Sequence, residues 1–144
     1  MFDDQYFMRM AINEALIAME QGEIPIGCVI TCNNIIIAKA HNLTQTLNDT
    51  TSHAEMQAFT AASNYLGAKY LHDCTLYVTL EPCNMCAAAA AWTQISRIVY
   101  GAADTQHKQI DKKLLLHPKT EYIGGVLAEE CKNLLTQFFA DKRK

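Results

Sequence analysis

Residues 74–86 of the chain read CTLYVTLEPCNMC and join a strand pattern to a helix start. The run from Cys74 to Thr79 is rich in apolar and β-branched residues and predicts a strand. Pro82 is typical of a first helical turn, and the alanine-rich run from Cys83 to Trp92 predicts a helix. A strand that leads directly into a helix indicates a sheet with parallel members and with helices packed on it.

The rest of the chain extends this pattern on both sides. Asn33-Asn34 separates two runs rich in Ile and Val and predicts a tight hairpin turn. Ser52 is expected to cap a helix, with Glu55 at the third position after it as in a capping box. The predicted helices cover residues 3–21, 53–65 and 126–140, and the predicted strands cover residues 26–32, 35–40 and 98–100. This alternation of strands and helices predicts an α/β fold.

Length and composition indicate one folded domain. The chain has 144 residues, of which 50% are hydrophobic and only nine are Gly or Pro. These values exclude a disordered chain and a collagen-like repeat. We therefore expect a single domain over residues 1–144.

The amino-terminal residues do not predict secretion. Residues 1–10 carry two early Asp residues and lack a basic start followed by an apolar core. The longest apolar stretch, Ala87–Trp92, is far too short to span a bilayer. We therefore expect a cytoplasmic protein without membrane association. Its six cysteines are expected to be free thiols, and two close cysteines in that setting suggest metal or redox work.

Charge is distributed unevenly along the chain. Residues 1–105 carry four Lys or Arg and ten Asp or Glu. Residues 106–144 carry eight Lys or Arg and five Asp or Glu. The net charge is −3 overall, and it is positive only in the carboxyl-terminal part. That part could offer a basic face to a phosphate backbone, and a solubilising tail is the alternative.

Two segments carry the residue types of a metal site. His53-Ala54-Glu55 and Cys83-Asn84-Met85-Cys86 each open a predicted helix. Cysteines three apart at a helix start bring both sulfurs near one point, where unpaired backbone N–H groups favour thiolates. Two thiolates and one imidazole are good zinc ligands. Three protein ligands leave the fourth tetrahedral position to water, which is typical of a catalytic zinc.

Glu55 is the carboxylate placed to act on such a water. Two thiolates neutralise the zinc, so its water is less acidic than one held by three histidines and needs a base. His53 and Glu55 lie two residues apart, which is about 200° around a regular helix. Their convergence on one point therefore requires the looser geometry of a helix start.

Other interpretations of the cysteine pair stay open. Cys-x-x-Cys also occurs in redox proteins, but Asn84 and Met85 do not match a thioredoxin-type context. A structural zinc would need a fourth ligand. His41, His72 and Cys74 are available for it by residue type.

The two segments together resemble a known signature. His-x-Glu followed by Pro-Cys-x-x-Cys is characteristic of the zinc-dependent nucleobase deaminases. Beyond this signature, the chain is similar to the bacterial tRNA-specific adenosine deaminases along nearly its whole length. The similar stretches are Glu23–Gly27, Asn42, Leu76–Cys83, Arg97–Gly101 and Gly125–Cys131, with Phe138-Phe139 beyond.

The resemblance implies a fold and an activity. The implied fold is a three-layer α/β/α cytidine-deaminase-like domain, in which a mixed five-stranded sheet carries helices on both faces. The implied activity is hydrolytic deamination of adenosine to inosine at the wobble position of an arginine tRNA anticodon. The implied enzyme is a homodimer with one Zn²⁺ per subunit and a bound water or hydroxide as the nucleophile.

The resemblance also implies roles for individual residues. His53, Cys83 and Cys86 would hold zinc. Glu55 would move protons from the water to the ring nitrogen and the leaving amine. The residues expected to bind the extruded base and to wall its pocket are Asn42, Ala54, Glu23, Ile24, Pro25 and Ile26.

The chain differs from these relatives in regions that contact RNA or the second subunit in that family. Ala103 and Gln94 stand where family members often carry Arg, and the Thr105–Asp111 stretch contains no Gly. The tryptophan at position 92 is a feature in which the chain is similar to the free-base guanine deaminases of the same superfamily. The lysines that could serve the anticodon stem are Lys108, Lys112, Lys113 and Lys119.

Two further hypotheses for the function stay open. One is a deaminase of a free base or nucleoside, of guanine or cytosine type. The other is an inactive zinc module that binds RNA or a partner subunit.

Overall fold

The computed structural model describes residues 2–143, which form five helices and five strands. The helices are α1 (Asp4–Glu20), α2 (Ala54–Leu66), α3 (Asn84–Thr93), α4 (Lys112–Leu115) and α5 (Ala128–Lys142). The strands are β1 (Gly27–Cys32), β2 (Ile35–His41), β3 (Cys74–Leu80), β4 (Arg97–Ala102) and β5 (Glu121–Ile123). Across residues 2–143, no helix is long and apolar enough to pass through a membrane.

The strands form one mixed sheet with helices on both faces. The strand order is β2-β1-β3-β4-β5. β1 is antiparallel to β2 and β3, whereas β3, β4 and β5 run parallel. α2 and α3 cover one face, over a core that includes Phe59 and Leu76, and α1 and α5 cover the other, over a core that includes Phe7 and Val99. This three-layer α/β/α arrangement with five strands confirms the expected fold class.

The β1–β2 hairpin packs directly beneath α1. Asn33 and Asn34 both adopt positive φ, at 52° and 63°, as the tight turns of two-residue hairpins require. The predicted turn is therefore confirmed. A Cβ atom at Gly27 would collide with the backbone of α1, so glycine allows β1 to begin in contact with that helix.

The starts of α2 and α3 differ from the predicted ones. Ser52 does not cap α2, so that prediction is wrong. Its hydroxyl donates to Asp49 Oδ2 at 2.9 Å, and an ionised carboxylate is a stronger partner than a helix N–H group. His53 is the N-cap residue instead. Pro82 lies just before the α3 N-cap residue Cys83 and not in the first turn.

The carboxyl-terminal part contains two elements that the sequence patterns did not predict. α4 has four residues and β5 has three, so neither is long enough to show a period. β5 forms because Tyr122 pairs with Ile98 of β4. It supplies the fifth strand that the family resemblance implied.

Candidate metal centre and substrate cavity

Three side chains that can bind a metal converge where α2 and α3 begin. His53 and Cys83 are the N-cap residues of these helices, and Cys86 lies in the first turn of α3. The His53 Nδ1 atom lies 3.6 Å from Cys83 Sγ and 3.6 Å from Cys86 Sγ. All three ligand atoms lie within 4.8 Å of one another. The structure therefore brings together the three residues that the sequence singled out.

The donor set fits zinc. Usual zinc–nitrogen and zinc–sulfur bond lengths place tetrahedral nitrogen and sulfur ligands about 3.5 Å apart, close to the two observed separations. One imidazole and two thiolates also match the ligand preference of zinc. Within the described residues, the cluster does not include His41, His72 or Cys74. Three protein ligands leave a position for water, as in a catalytic centre.

The cluster favours a thiolate at Cys83. The Cys86 thiol, the His53 ring and the Cys86 backbone N–H all hydrogen-bond to the Cys83 sulfur. These contacts outweigh burial and lower the pKa of Cys83 to about 4. The hydrogen bond with Cys83 in turn raises the pKa of His53. The same hydrogen bond between the two sulfurs raises the pKa of Cys86. A thiolate is the form that binds a metal, so zinc binding would release the proton that Cys86 holds.

Glu55 lies buried beside the three ligands. It is 4% exposed, and burial raises the pKa of its carboxyl to about 7. His53 precedes the helix and has extended backbone angles, with φ −68° and ψ 155°. The rotation of about 100° per residue that a regular helix imposes therefore does not turn its side chain away from that of Glu55. This geometry explains how both residues reach one cavity. A carboxyl that titrates near neutrality suits general acid–base work.

A cavity of about 320 Å³ opens beside the cluster, which is within the range of small-molecule sites. One wall is formed by Ile24, Ile26, Asn42 and Ala54, and Glu55 also lines the cavity. Asn42 is 4% exposed, and its Oδ1 atom accepts a hydrogen bond of 3.4 Å from the backbone of the loop that follows. An apolar wall with one buried amide suits a flat heteroaromatic ring.

Glu23 and Pro25 are buried behind this wall and are not among the residues that line the cavity. The Glu23 carboxylate accepts hydrogen bonds from the backbone N–H of Gln45 at 3.1 Å and of Thr46 at 2.7 Å. The Thr46 hydroxyl donates a third, also at 2.7 Å. Burial opposes these bonds, but together they lower the pKa of Glu23. Glu23 thus holds the loop after β2 against the cavity wall.

The opposite wall contains residues that the sequence patterns did not single out. They are Glu81, directly after β3, and Asp104 and His107, in the loop after β4. Glu81 accepts a hydrogen bond of 3.0 Å from the Asp104 N–H, and His107 Nδ1 lies 2.9 Å from Asp104 Oδ2. The position of Glu81 two residues before Cys83 was the signal that could have revealed it. Asp104 and His107 join the wall only through the fold.

Comparison with known proteins gives a consistent result. Residues 1–102 match the family model described as the cytidine and deoxycytidylate deaminase zinc-binding region. The tRNA-specific adenosine deaminase of Bacillus subtilis (strain 168) is 42% identical, and the alignment covers 100% of this chain and 93% of that protein. The similarity therefore extends beyond the metal-binding segments to the whole chain.

Two solved structures share the architecture. One, from a study of A-to-I editing by tRNA:A34 deaminases at the wobble position of transfer RNA, has a TM-score of 0.83 at 36% identity, covering 90% of this chain and 99% of that one. The guanine deaminase from Bacillus subtilis has a TM-score of 0.69 at 38% identity, covering 72% of this chain and 66% of that one. This chain therefore belongs to the cytidine and deoxycytidylate deaminase zinc-binding family, within which it groups with relatives named tRNA-specific adenosine deaminases.

Proposed function

We propose that this protein is a zinc-dependent hydrolase that deaminates adenosine to inosine at the wobble position of a tRNA anticodon. One observation carries the proposal. A buried Glu55 carboxyl stands at a three-ligand centre in a chain that is 42% identical over its full length to a tRNA-specific adenosine deaminase. A purely structural zinc site would have no use for that carboxyl.

The reaction replaces the amino group on C6 of adenine with the oxygen of a water molecule and releases ammonia. His53, Cys83 and Cys86 would hold the zinc, which when bound activates water for attack. Glu55 takes a proton from the water and delivers one to the adjacent ring nitrogen. It then assists proton transfer to the leaving amine. The high pKa of the buried carboxyl suits a group that must both accept and return a proton.

The cavity wall would bind the adenine after it leaves the base stack. The Asn42 carboxamide offers a donor and an acceptor to the edge of the base. The Ala54 backbone helps to position the base, and Ile24 and Ile26 provide an apolar surface. We assign Glu23 and Pro25 a supporting role behind this wall, since they are buried without lining it.

We infer that the RNA is the anticodon stem-loop of an arginine tRNA. This assignment rests on the resemblance of the chain to the bacterial tRNA-specific adenosine deaminases. Three lysines are exposed in the segment that follows the wall of Glu81, Asp104 and His107, and their positive charges could bind the phosphate backbone of the RNA. They are Lys108, Lys113 and Lys119. Lys112 is instead half-buried and pairs with Glu81 at 3.2 Å, so it serves the cavity wall.

We also infer a homodimer through the surface of α3 and α4. Trp92 is 83% exposed and Leu114 is 78% exposed, and large exposed apolar side chains of this kind mark interaction surfaces. Sedimentation of the wild-type protein is expected to give twice the mass of the chain, and Trp92→Lys is expected to weaken the association. A monomeric wild-type protein at micromolar concentration would contradict this inference.

The test is an assay of the zinc-loaded protein on an anticodon stem-loop with adenosine at the wobble position. Free guanine, cytosine and adenosine are assayed in parallel. We expect inosine at that position and no ammonia from the free bases. Ammonia from guanine with untouched RNA would favour a free-base deaminase instead, a candidate that the 38% identity with a guanine deaminase supports. No ammonia from any substrate would favour an inactive zinc module.

A further inference from the structure

Gln57 lies in α2 four residues after His53, and its side-chain amide faces backbone carbonyls behind the cavity. The Gln57 Nε2 group donates to the carbonyl oxygen of His41 at 2.9 Å and to that of Ser52 at 3.2 Å. The carbonyl oxygen of His53 lies 3.5 Å from the same nitrogen. The residue is half-buried, so these hydrogen bonds are partly shielded from water.

The two nearer carbonyls belong to residues that immediately precede members of the site. His41 ends β2 and precedes Asn42, whereas Ser52 ends the following loop and precedes His53. The loop closes at the same point, because the Leu43 N–H donates to the Ser52 carbonyl at 3.1 Å. One side chain thus ties the strand end that carries Asn42 to the segment that carries His53.

Asn42 is also attached to the wall beside it. Its backbone N–H donates to the Ile26 carbonyl at 3.0 Å. This bond joins Asn42 to the apolar wall, and the Gln57 bonds join the preceding residue to α2. The two attachments together restrain Asn42 relative to both the wall and the metal ligands. A restraint of this kind matters because small displacements of reacting groups lower the rate strongly.

We propose that Gln57 is a positioning residue that sets the placement of the Asn42 carboxamide relative to the metal centre. The inference rests on the proposed function, in which Asn42 binds the adenine that the metal centre attacks. Glutamine suits this role because its amide supplies two N–H donors to two carbonyl acceptors. Methionine has a similar length and supplies no donor, and glutamate supplies only acceptors when ionised.

The test is a double-mutant cycle that combines Gln57→Met with Asn42→Ala. In the otherwise wild-type enzyme, Gln57→Met is expected to keep the zinc content and to lower kcat/KM for the stem-loop about tenfold. In the Asn42→Ala background, the same change is expected to alter kcat/KM less than about twofold, since no carboxamide remains to be placed. A merely structural role would give equal losses in the two backgrounds.

A matched control comes from the same helix. The exposed Thr60 hydroxyl donates to the Met56 carbonyl at 3.3 Å, and Thr60→Val removes this bond outside the cavity. We expect this variant to keep full kcat/KM. If Gln57→Met does not fold, Gln57→Glu keeps the shape of the side chain and is compared in the same two backgrounds.

The outcomes separate this inference from the proposed function. Full activity of Gln57→Met, or equal losses with and without Asn42, overturns the positioning role. Wild-type protein that deaminates only a free base contradicts the proposed RNA substrate, and the cycle is then measured on that base with the same criteria.

Discussion

The two ends of the parallel strands β3 and β4 both carry ionisable groups, half-buried at the amino end and buried at the carboxyl end, and their pKa values shift for different reasons. At the amino end, the Arg97 guanidinium binds the Asp4 carboxylate through two hydrogen bonds of 2.8 and 2.7 Å. The Tyr77 hydroxyl donates a third to Asp4, also at 2.8 Å. Arg97 and these hydrogen bonds lower the pKa of Asp4. At the carboxyl end, burial raises the pKa of Glu55 to about 7.

The ion pair at the amino end stabilises the fold, whereas the carboxyl of Glu55 at the other end is placed to take part in the reaction. A groove also lies at the amino end, but there Arg97 pairs with both Asp4 and Glu121. The carboxyl end holds an acid in a form that can release and regain a proton near neutral pH. The shifted pKa of Glu55 thus comes from burial beside candidate metal ligands, whereas that of Asp4 comes from an ion pair away from them. Loss of activity should therefore follow changes at one end, and loss of stability should follow changes at the other.

The largest effect is expected from removal of a metal ligand. Cys83→Ala takes away one of three donors, and two remaining protein ligands bind zinc weakly. We expect loss of the metal and of measurable deamination. Elemental analysis of the purified variant checks this, with Cys131→Ala as a control because Cys131 is buried in the core on the other face of the sheet. A full zinc content in Cys83→Ala would refute the assignment.

Removal of the acid–base group should give the next largest effect. Glu55→Gln keeps the shape of the side chain and cannot take a proton from water. We expect kcat to fall about 10³-fold to 10⁴-fold, while zinc stays bound. Because burial of an ionisable carboxyl is unfavourable, we expect the melting temperature to be unchanged or raised. A variant that keeps wild-type kcat would show that Glu55 is not the proton carrier.

A smaller effect is expected at the cavity wall formed by Glu81, Asp104 and His107. His107 is held by Asp104 and lines the cavity from an exposed loop. Truncation by His107→Ala removes a wall contact without touching the metal ligands. We expect KM for the stem-loop to rise about three- to tenfold with kcat nearly unchanged. His72→Ala, an exposed histidine that bonds Gln94 outside the cavity, is the matched control. A change in kcat with constant KM would place His107 in the chemistry instead.

Much of this architecture could be predicted from the sequence because its signals are local. The positive φ values of Asn33 and Asn34 follow from their side-chain chemistry. The hydrophobic run before Pro82 predicts β3 without any knowledge of its partners. β5 could not be predicted in this way, because three residues carry no period and become a strand only by pairing with β4.

In the candidate site too, some residues could be predicted from local sequence patterns and others could not. The metal ligands and Glu55 lie within short segments whose spacing already indicates chemistry. The cap of α2 was mispredicted because Asp49 binds the Ser52 hydroxyl, a contact that depends on how the loop folds. Gln57 and His107 belong to the site only because of how the loops after β2 and β4 fold, and no local pattern distinguishes them from other polar residues.

The smallest effect is expected at the amino end of the sheet, where Asp4→Asn removes the charge paired with Arg97. A carboxylate whose pKa is lower in the folded state stabilises the protein at pH values above its ordinary pKa of 3.8. This contribution is lost as the pH falls through the folded-state pKa. We therefore expect the variant to lose roughly 1 kcal/mol of unfolding free energy at pH 7 and progressively less below pH 4.

Urea denaturation over that pH range measures the difference, with Glu20→Gln at the exposed end of α1 as the control. Unchanged kcat/KM in Asp4→Asn would complete the contrast between the two ends, whereas a large loss of activity at full stability would show that charge at the amino end also serves the reaction.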